Sequence, residues 1–301
     1  MKMKRFFFAG LFLMSGLTIV TAQVKLSFNP PKGAKYEYRS ESVQTAKQNV
    51  MGQEMKSEIE TDVTYIVEIK DKTSQGIHVQ LTYRDFAYIM SSPMMKMGYD
   101  SKNPIENPSE MDQMLAKMFS GMIGQPCMLV IAPDGSVKSV TGMDAIAENM
   151  LKALSDNGQI ALQIGASLQQ QFGDEAMKNS FQQSFKIYPD NAVKPGDSWN
   201  MENLMTVANM NTAFHTKYTL KEVSRNMATV AVESDIEMIP GEGMEGKITG
   251  TQAGSMRVDT TTGIQIMSDL LQNMNGVINA QGFGIQMEVV GTVKTSIKEV
   301  K

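Results

Sequence analysis

The sequence is poor in the residues that most often carry chemistry, with one cysteine, two histidines and one tryptophan among its 301 residues. A single cysteine, Cys127, excludes an intramolecular disulfide bond, so the fold must depend on the packing of its core. Two histidines, His78 and His215, leave few options for metal binding or acid–base catalysis. The serine hydrolase pattern G-x-S-x-G and the zinc protease pattern H-E-x-x-H are both missing. The sequence therefore contains no motif that supports an enzyme.

These three residues lie in settings that favour structural roles. Cys127 belongs to the apolar stretch 126–130, whereas a nucleophilic thiol needs an electropositive, accessible setting and a histidine partner. We expect it to be a small buried side chain. His78 follows Ile77 and His215 follows Phe214 on predicted strands. Alternation along a strand then places both histidines opposite the apolar face, toward solvent.

The amino terminus has the three zones of a cleavable secretory signal peptide. Basic residues within positions 2–5 precede an apolar stretch at 6–20, and small or compact residues occupy 20–22. Cleavage is expected between Ala22 and Gln23, with an uncleaved membrane anchor as the alternative. The apolar stretch is shorter than the roughly 20 residues that a membrane-spanning helix needs. Because no cysteine lies near the cut, we expect no lipid anchor and a protein released into the periplasm or secreted.

The charge balance is mildly acidic. The net charge is -4 at pH 7, and the predicted signal peptide carries three basic residues and no acidic one, so the mature chain is near -7. Charges of both signs are mixed along the sequence. A nucleic-acid partner is therefore not expected. No later segment is apolar enough to span a bilayer, so the mature protein is not expected to cross the membrane.

Alternation of apolar and polar residues predicts a fold rich in antiparallel sheet. The pattern is clearest over residues 58–70 and, after a turn at 71–76, over residues 77–83. Pro133-Asp134-Gly135-Ser136 predicts a hairpin turn, and residues 91–108 are predicted to form a loop. The other predicted strands are residues 35–50, 127–131, 137–140, 214–223, 227–239, 248–258, 264–271 and 283–297.

Helical spacing of apolar residues predicts a central helical block. Ser109 is the expected N-cap of a first helix, and further helices are predicted over residues 143–154, 160–172 and 177–185. The predicted fold class is α+β, mainly antiparallel β, with a curved sheet or half-barrel covering the helical block. After the signal peptide at 1–22, the predicted parts are a β meander with one helix (23–141), the helical block (142–188) and a second β meander (189–301). They form one compact domain or two joined halves.

Two parts of the sequence resemble each other at a constant offset. Tyr65, Val67 and Ile69 are followed by a polar turn and by Ile77, Val79 and Leu81, and the matching residues in 216–232 are Thr216, Tyr218 and Leu220, a turn, and then Ala228, Val230 and Val232. A duplicated β unit explains this likeness, but alternating strands also resemble one another by default. Both explanations stay open on the sequence.

Methionine is unusually frequent, with 27 residues. Its flexible side chain fills irregular apolar space or lines surfaces that adapt to varied partners. We predict a pocket for a hydrophobic small molecule or lipid between the helices and the sheet. The alternative, that these side chains fill a solid core, is equally supported. The predicted lining is Met111, Met114, Met118 and Met122, with Met143, Met150 and Leu154 as further candidates.

Two other motifs have simpler structural explanations. Met94, Met95 and Met97 are of the thioether type that binds copper(I), but helical spacing explains the neighbouring methionines and no histidine lies close in sequence. Residues 241–246 fit G-x-G-x-x-G, but strand-like residues follow where a dinucleotide site needs a helix, and two glutamates would repel phosphate. We expect an inter-strand loop there, and neither metal nor cofactor.

Several short motifs resemble one family. Gly196-Asp197-Ser198-Trp199, preceded by Tyr188-Pro189 and Val193-Lys194, is similar to exported Bacteroidota proteins grouped as domain of unknown function 6263. Tyr99-Asp100-Ser101 and the 133–137 hairpin point the same way. The resemblance covers most of the mature chain and implies no activity and no catalytic residues. The predicted plan is also similar to the half-barrels of periplasmic lipoprotein carriers, an analogy of fold alone.

The sequence therefore predicts a non-catalytic exported protein that binds an apolar ligand or acyl chain. The alternative is a cell-envelope interaction or scaffold protein without a pocket, using a sheet edge or the 91–108 loop to bind an envelope protein. An enzyme is the third class, and an activity that survived substitution of His78 and His215 would have to use carboxylates or hydroxyls.

Overall fold

The structure is a computed structural model that describes residues 23–50, 52–154, 165, 168–207, 210–241, 244–280 and 283–300. The predicted signal peptide lies outside the described residues, as does most of the predicted helix 160–172, of which residues 168–172 are helical. The helices are α1 (Glu110–Ser120), α2 (Met143–Lys152) and α3 (Asp174–Phe185). The strands are β1 (Lys35–Val50), β2 (Gln53–Thr73), β3 (Gly76–Ser91), β4 (Lys96–Asp100), β5 (Pro126–Ile131), β6 (Val137–Thr141), β7 (Ser198–Val207), β8 (Met210–Ser224), β9 (Met227–Pro240), β10 (Met244–Asp259), β11 (Gln265–Ala280) and β12 (Phe283–Val300).

These strands form one open, curved, antiparallel sheet. Its order is β6-β5-β3-β2-β1-β12-β11-β10-β9-β8-β7, and β4 pairs with the second half of β3. The first and last strands, β1 and β12, pair along their whole length and so join the two predicted meanders. The mainly antiparallel fold with a curved sheet, predicted from alternation, is confirmed.

Helix α3 lies between the two edge strands, β6 and β7, and packs on both. The Val137 amide at the start of β6 donates to Gln182 Oε1 of α3 at 2.8 Å. Just after α3, Lys186 Nζ pairs with Asp134 at 2.8 Å, and the Trp199 indole of β7 donates to the Ile187 carbonyl at 2.9 Å. In the part of the chain that is described, β6 and β7 do not pair with each other. The helix therefore takes the place of a closing strand pair at one end of the sheet.

One face of the sheet carries nearly all of the buried side chains, and we call it the inner face. Because side chains alternate along a strand, the polar residues point to the opposite, outer face, where ion pairs such as Lys247–Glu237 lie. The helices cover the inner face at the end that holds the β2–β3, β8–β9 and β10–β11 turns. We call the packing there the helix-covered core. It contains Leu26, Ile69, Val79, Leu129, Ile131, Ile146, Leu220 and Val230, each at most 1% exposed.

The β2–β3 and β8–β9 hairpins share details that alternation alone does not require. Each contains a register shift just before its turn, after Ile69 in one and after Leu220 in the other. The Gly33 amide donates to the Ile69 carbonyl, and the Gly196 amide donates to the Leu220 carbonyl, each at 2.8 Å. Both glycines have a positive φ. The acceptors Ile69 and Leu220 lie at the same offset as the two similar parts of the sequence, whereas Gly33 and Gly196 do not, and the duplication stays a prediction.

Several sequence predictions need correction. Residues 91–108 are not all loop, because Lys96–Asp100 forms β4. Strand β7 was not predicted, and β11 continues to Ala280, well beyond the predicted end at residue 271. The predicted loop over residues 241–246 is wrong in its second half, because β10 begins at Met244. Residues 242–243 lie outside the described residues.

The predicted N-cap of α1 is confirmed, and its partner Asp112 also holds the helix to the sheet. The Ser109 hydroxyl accepts from the Asp112 amide, while the Asp112 carboxylate accepts from the Ser109 amide at 2.8 Å and from the Gly98 amide of β4 at 2.7 Å. Phe119 of the same helix packs on Phe86 at a ring distance of 4.6 Å. The hydrogen bonds from Ser109 and then Gly98 lower the pKa of the Asp112 carboxyl.

We expect Asp112→Asn to lower the free energy of unfolding by about 1.5 kcal/mol near neutral pH, because charge-assisted hydrogen bonds are lost. A lowered folded-state pKa stabilises the protein above the unfolded value of about 3.9, and this contribution disappears as the pH falls through the folded value. The difference between wild type and variant should therefore shrink below about pH 4, as measured by urea unfolding at pH 7, 5 and 3. Glu110→Gln, at an exposed position in the same turn, is the control, and equal losses in both variants would contradict the prediction.

Candidate functional site

A second apolar cluster lies on the inner face, away from the helix-covered core. We call it the distal cluster. It is built only from strand residues, and its buried members come from β8, β9, β10 and β11. Partly buried side chains from β7, β8, β10 and β12 complete it. The buried members are Phe214, Ile236, Met238, Ile248, Met274 and Ile278, and the partly buried ones are Met205, Met210, Met244, Met287 and Val289.

The sheet is sharply bent at β10, between the strands that supply most of the distal cluster. Cα atoms of β9 and β11, which flank β10, come within 8 Å of each other, whereas second neighbours in a flat sheet are about 9.5 Å apart. Glycines occupy the inside of the bend: a Cβ on Gly254 would lie 2.0 Å from the Asp269 carbonyl, and one on Gly250 2.2 Å from the Asn273 carbonyl. Glycine in a strand interior permits this close approach of backbones. The concave side of the bend is therefore the inner face.

The inner face around the distal cluster is free of charge. Thr216 and Gln272 lie in one row of paired residues that crosses the sheet. Between this row and the strand ends farthest from the helices, each described inward residue of β1–β3 and β7–β12 is uncharged. The charged residues of the same segments lie at the alternate positions, as in the outer pair Lys47–Glu288. A concave, uncharged and largely apolar surface suits an apolar ligand and is unsuited to an ionic one.

The methionines predicted to line a pocket lie elsewhere, against the helices. Met122, Met143 and Met150 are at most 1% exposed and Leu154 is 3% exposed. Met143 and Met150 belong to one face of α2 in the helix-covered core. Met114 and Met118 on α1 are half-buried, and Met111 is exposed. The structure brings most of these residues together, but whether they contact a ligand stays a prediction.

The other chemically notable residues have the settings expected from the sequence. Cys127 is 1% exposed, and burial raises the pKa of its thiol to about 12, so the predicted buried role is confirmed. His215 is exposed beside Glu202 at 3.7 Å, and His78 is half-buried with its Nε2 3.0 Å from the Thr73 hydroxyl. Met94 and Met95 are exposed, and Met97 packs against the helix-covered core.

The described ranges contain neither a metal-binding cluster nor a membrane-spanning helix. No group of three or more His, Cys, Asp or Glu side chains there is arranged to hold a metal ion. None of the described helices has both the length and the apolar character needed to cross a membrane.

A cavity of about 390 Å³ near the β8–β9 turn is too polar for an acyl chain. Its lining is Glu222, Ser224, Arg225, Met227, Thr229 and Arg257.

Comparison with solved structures finds likeness of shape at very low sequence identity. Lipovitellin, described for its lipid–protein interactions, matches 90% of this chain at 10% identity with a TM-score of 0.48, and the chain spans only 25% of its length. Pseudomonas aeruginosa OccK7 (OpdD) matches 89% of this chain and 100% of its own at 6% identity and a TM-score of 0.26. An outer membrane channel from Pseudomonas putida F1 matches 89% of this chain and 96% of its own at 9% identity and a TM-score of 0.22. These likenesses are too weak to carry a functional conclusion.

No curated protein sequence matches the chain. A family does match: residues 74–265, more than half of the chain, fit a family of unknown function, DUF6263. This stretch contains the Gly196–Trp199, Tyr188-Pro189 and 133–137 motifs that carried the resemblance in the sequence. The protein belongs to the family of unknown function DUF6263.

Proposed function

We propose that this protein is a non-catalytic binding protein for an acyl chain, which lies on the inner face over the distal cluster. The observation that carries the proposal is the existence of this second apolar cluster, separate from the helix-covered core and built from strands alone. A domain that needed only one core would have no use for an apolar surface beyond its helices. A concave apolar surface is also the usual form of a small-molecule site.

The dimensions of the surface suit an elongated ligand. Six residues separate Thr216 from Met210 along β8, which corresponds to roughly 20 Å of inner face at about 3.3 Å per residue. Methionines from six strands, Met205, Met244, Met274 and Met287 among them, contribute to its lining. Their unbranched side chains can change conformation at little cost to admit a flexible chain. The site would therefore bind acyl chains with little dependence on their unsaturation.

Export is part of the same proposal. The three zones of residues 1–22 support a cleaved signal peptide, and a protein released into the periplasm or secreted would meet acyl chains shed from envelope lipids. Amino-terminal sequencing of protein from the periplasmic fraction should begin at Gln23. A start at Met1, with the protein in the membrane fraction, would contradict cleavage.

A native mass spectrum of protein purified without detergent from its own periplasm tests the proposal directly. We expect a species that is heavier than the polypeptide by the mass of one lipid. The distal cluster leaves part of its apolar surface exposed, and a bound acyl chain would remove that surface from water. After removal of lipid, N-phenyl-1-naphthylamine should bind with a rise in fluorescence, and an acyl lipid should displace it. A clean polypeptide mass together with no dye binding would overturn the proposal and favour the envelope interaction role.

A further inference from the structure

A row of uncharged polar side chains crosses the inner face between the helix-covered core and the distal cluster. The strand registers place its members directly opposite one another: Thr216 faces Ser234, Ser234 faces Gln252 and Gln252 faces Gln272. Across β12 the row continues through Gly291 to Gln44 of β1. Polar side chains at four consecutive inward positions, and a fifth beyond Gly291, are unexpected between two apolar clusters, since a continuous apolar core would be more stable there.

The two ends of the row differ in how their hydrogen bonds are satisfied. The hydroxyls of Thr216 and Ser234 bond to each other at 2.8 Å. Gln272 is 9% exposed, and its amide donates only to the thioether of Met274 at 3.3 Å, a weak acceptor. Within the described residues, the amides of Gln252 and Gln44 make no side-chain hydrogen bond. Gln44, Gln252 and Gln272, which we call the glutamine row, therefore present unused donors and acceptors on a partly desolvated surface.

Glycines lie within and beside the glutamine row. Gly291 lies between Gln272 and Gln44 in the row itself, and a Cβ there would come within 2.7 Å of the Gln44 side chain. Gly250 and Gly254 are the nearest inward residues on either side of Gln252 along β10. The side chains of Gln44 and Gln252 are half-buried, so part of each stays accessible. A ligand group can therefore approach them from the concave side.

We propose that the glutamine row binds the uncharged ester or hydroxyl group of a neutral acyl lipid, whose chain lies on the distal cluster. This inference rests on the proposed function and adds the class of ligand. Amides donate to ester carbonyls and accept from hydroxyls. A carboxylate or phosphate at the same place would be desolvated beside no positive charge, since the inward residues from the row to the strand ends are uncharged wherever the structure describes them. The site therefore selects neutral lipids over anionic ones.

Competition against N-phenyl-1-naphthylamine, on the mature chain freed of lipid, tests the selection. The competitors are 1-palmitoylglycerol and, at pH 8, palmitate, which share one acyl chain. For wild type we expect 1-palmitoylglycerol to bind at least about tenfold more tightly than palmitate. In the double variant Gln252→Met, Gln272→Met, the affinity for 1-palmitoylglycerol should fall about tenfold, and the affinity for the dye should not change. Gln286→Met, on the outer face of β12, is the control and should behave as wild type.

The possible results separate this inference from the proposed function. If the dye and both lipids fail to bind wild type, the proposed function falls and the inference with it. If they bind but palmitate competes as well as 1-palmitoylglycerol, or the double variant keeps the wild-type preference, the inference alone is overturned. Should the double variant unfold, Gln44→Met changes a half-buried side chain and should reduce the preference about threefold. An unchanged preference in that variant would also overturn the inference.

Discussion

Replacing Gly263 with alanine is expected to lower the free energy of unfolding by about 3 kcal/mol, among the largest effects of any single methyl group in this chain. Two costs add at this position. Its φ of +72° lies in the left-handed region, where a side chain costs about 1–2 kcal/mol. A Cβ would also stand 2.0 Å from the Ser27 carbonyl oxygen, so the backbone of one segment would have to move.

The position is sensitive because three separate parts of the chain meet there. Gly263 ends the β10–β11 turn, and its carbonyl accepts from the buried Tyr188 hydroxyl at 2.6 Å. The preceding residue, Thr262, accepts from the Asn29 amide at 2.7 Å. The amino-terminal segment, the turn and the segment after α3 are thereby held together. Displacement of any one of them should weaken the packing of α3 on the edge strands β6 and β7.

Gly196→Ala is the matched control for Gly263→Ala. Gly196 has a similar φ of +96°, but no atom lies within 4 Å of its Cβ position, so only the backbone cost of about 1 kcal/mol is expected. Urea unfolding followed by circular dichroism measures both. Equal losses in the two variants would show that Ser27 does not approach the turn as closely as described.

Most strands could be predicted because their inward and outward residues differ so clearly in character. The segments of β2, β3, β8 and β9 alternate with few exceptions, and local alternation is enough to identify them. Strand β7 could not be found in this way, since it places Asn203 inward and Leu204 outward, with Leu204 65% exposed. Strand β4 has only five residues and depends on its contact with α1 through Asp112. Both strands are defined by tertiary partners rather than by their own pattern.

The candidate site was missed for a related reason. The methionines on the helices were noticeable because helical spacing groups them within one segment. Those of the distal cluster, such as Met205, Met238 and Met287, are spread over separate strands, and only the strand order brings them together. The signal that could have found them is the lack of charge at inward positions of several strands at once. Its use requires knowing the register, which local sequence does not give.

Replacing Met287 with lysine should weaken the binding of N-phenyl-1-naphthylamine and of acyl lipids at least about tenfold. Met287 is half-buried at the edge of the distal cluster and faces Gly276 of β11, where no side chain would shield a charge. An apolar ligand would have to strip water from the ammonium group, which is costly. In the free protein the same group can reach solvent along its flexible stem, so the unfolding free energy should change by less than about 1 kcal/mol.

The neighbouring residue supplies a control that keeps strand, charge and chain length the same. Gln286→Lys adds the same charge one position earlier in β12, but on the exposed outer face. Because adjacent residues of a strand point to opposite faces, this variant should bind dye and lipid as wild type does. Met287→Leu should also keep binding, since it preserves apolar character and nearly the same volume. Equal affinities of the two lysine variants would mean that the ligand does not contact the inner face. If Met287→Lys weakens binding and the other two variants do not, the acyl chain lies on the uncharged inner face.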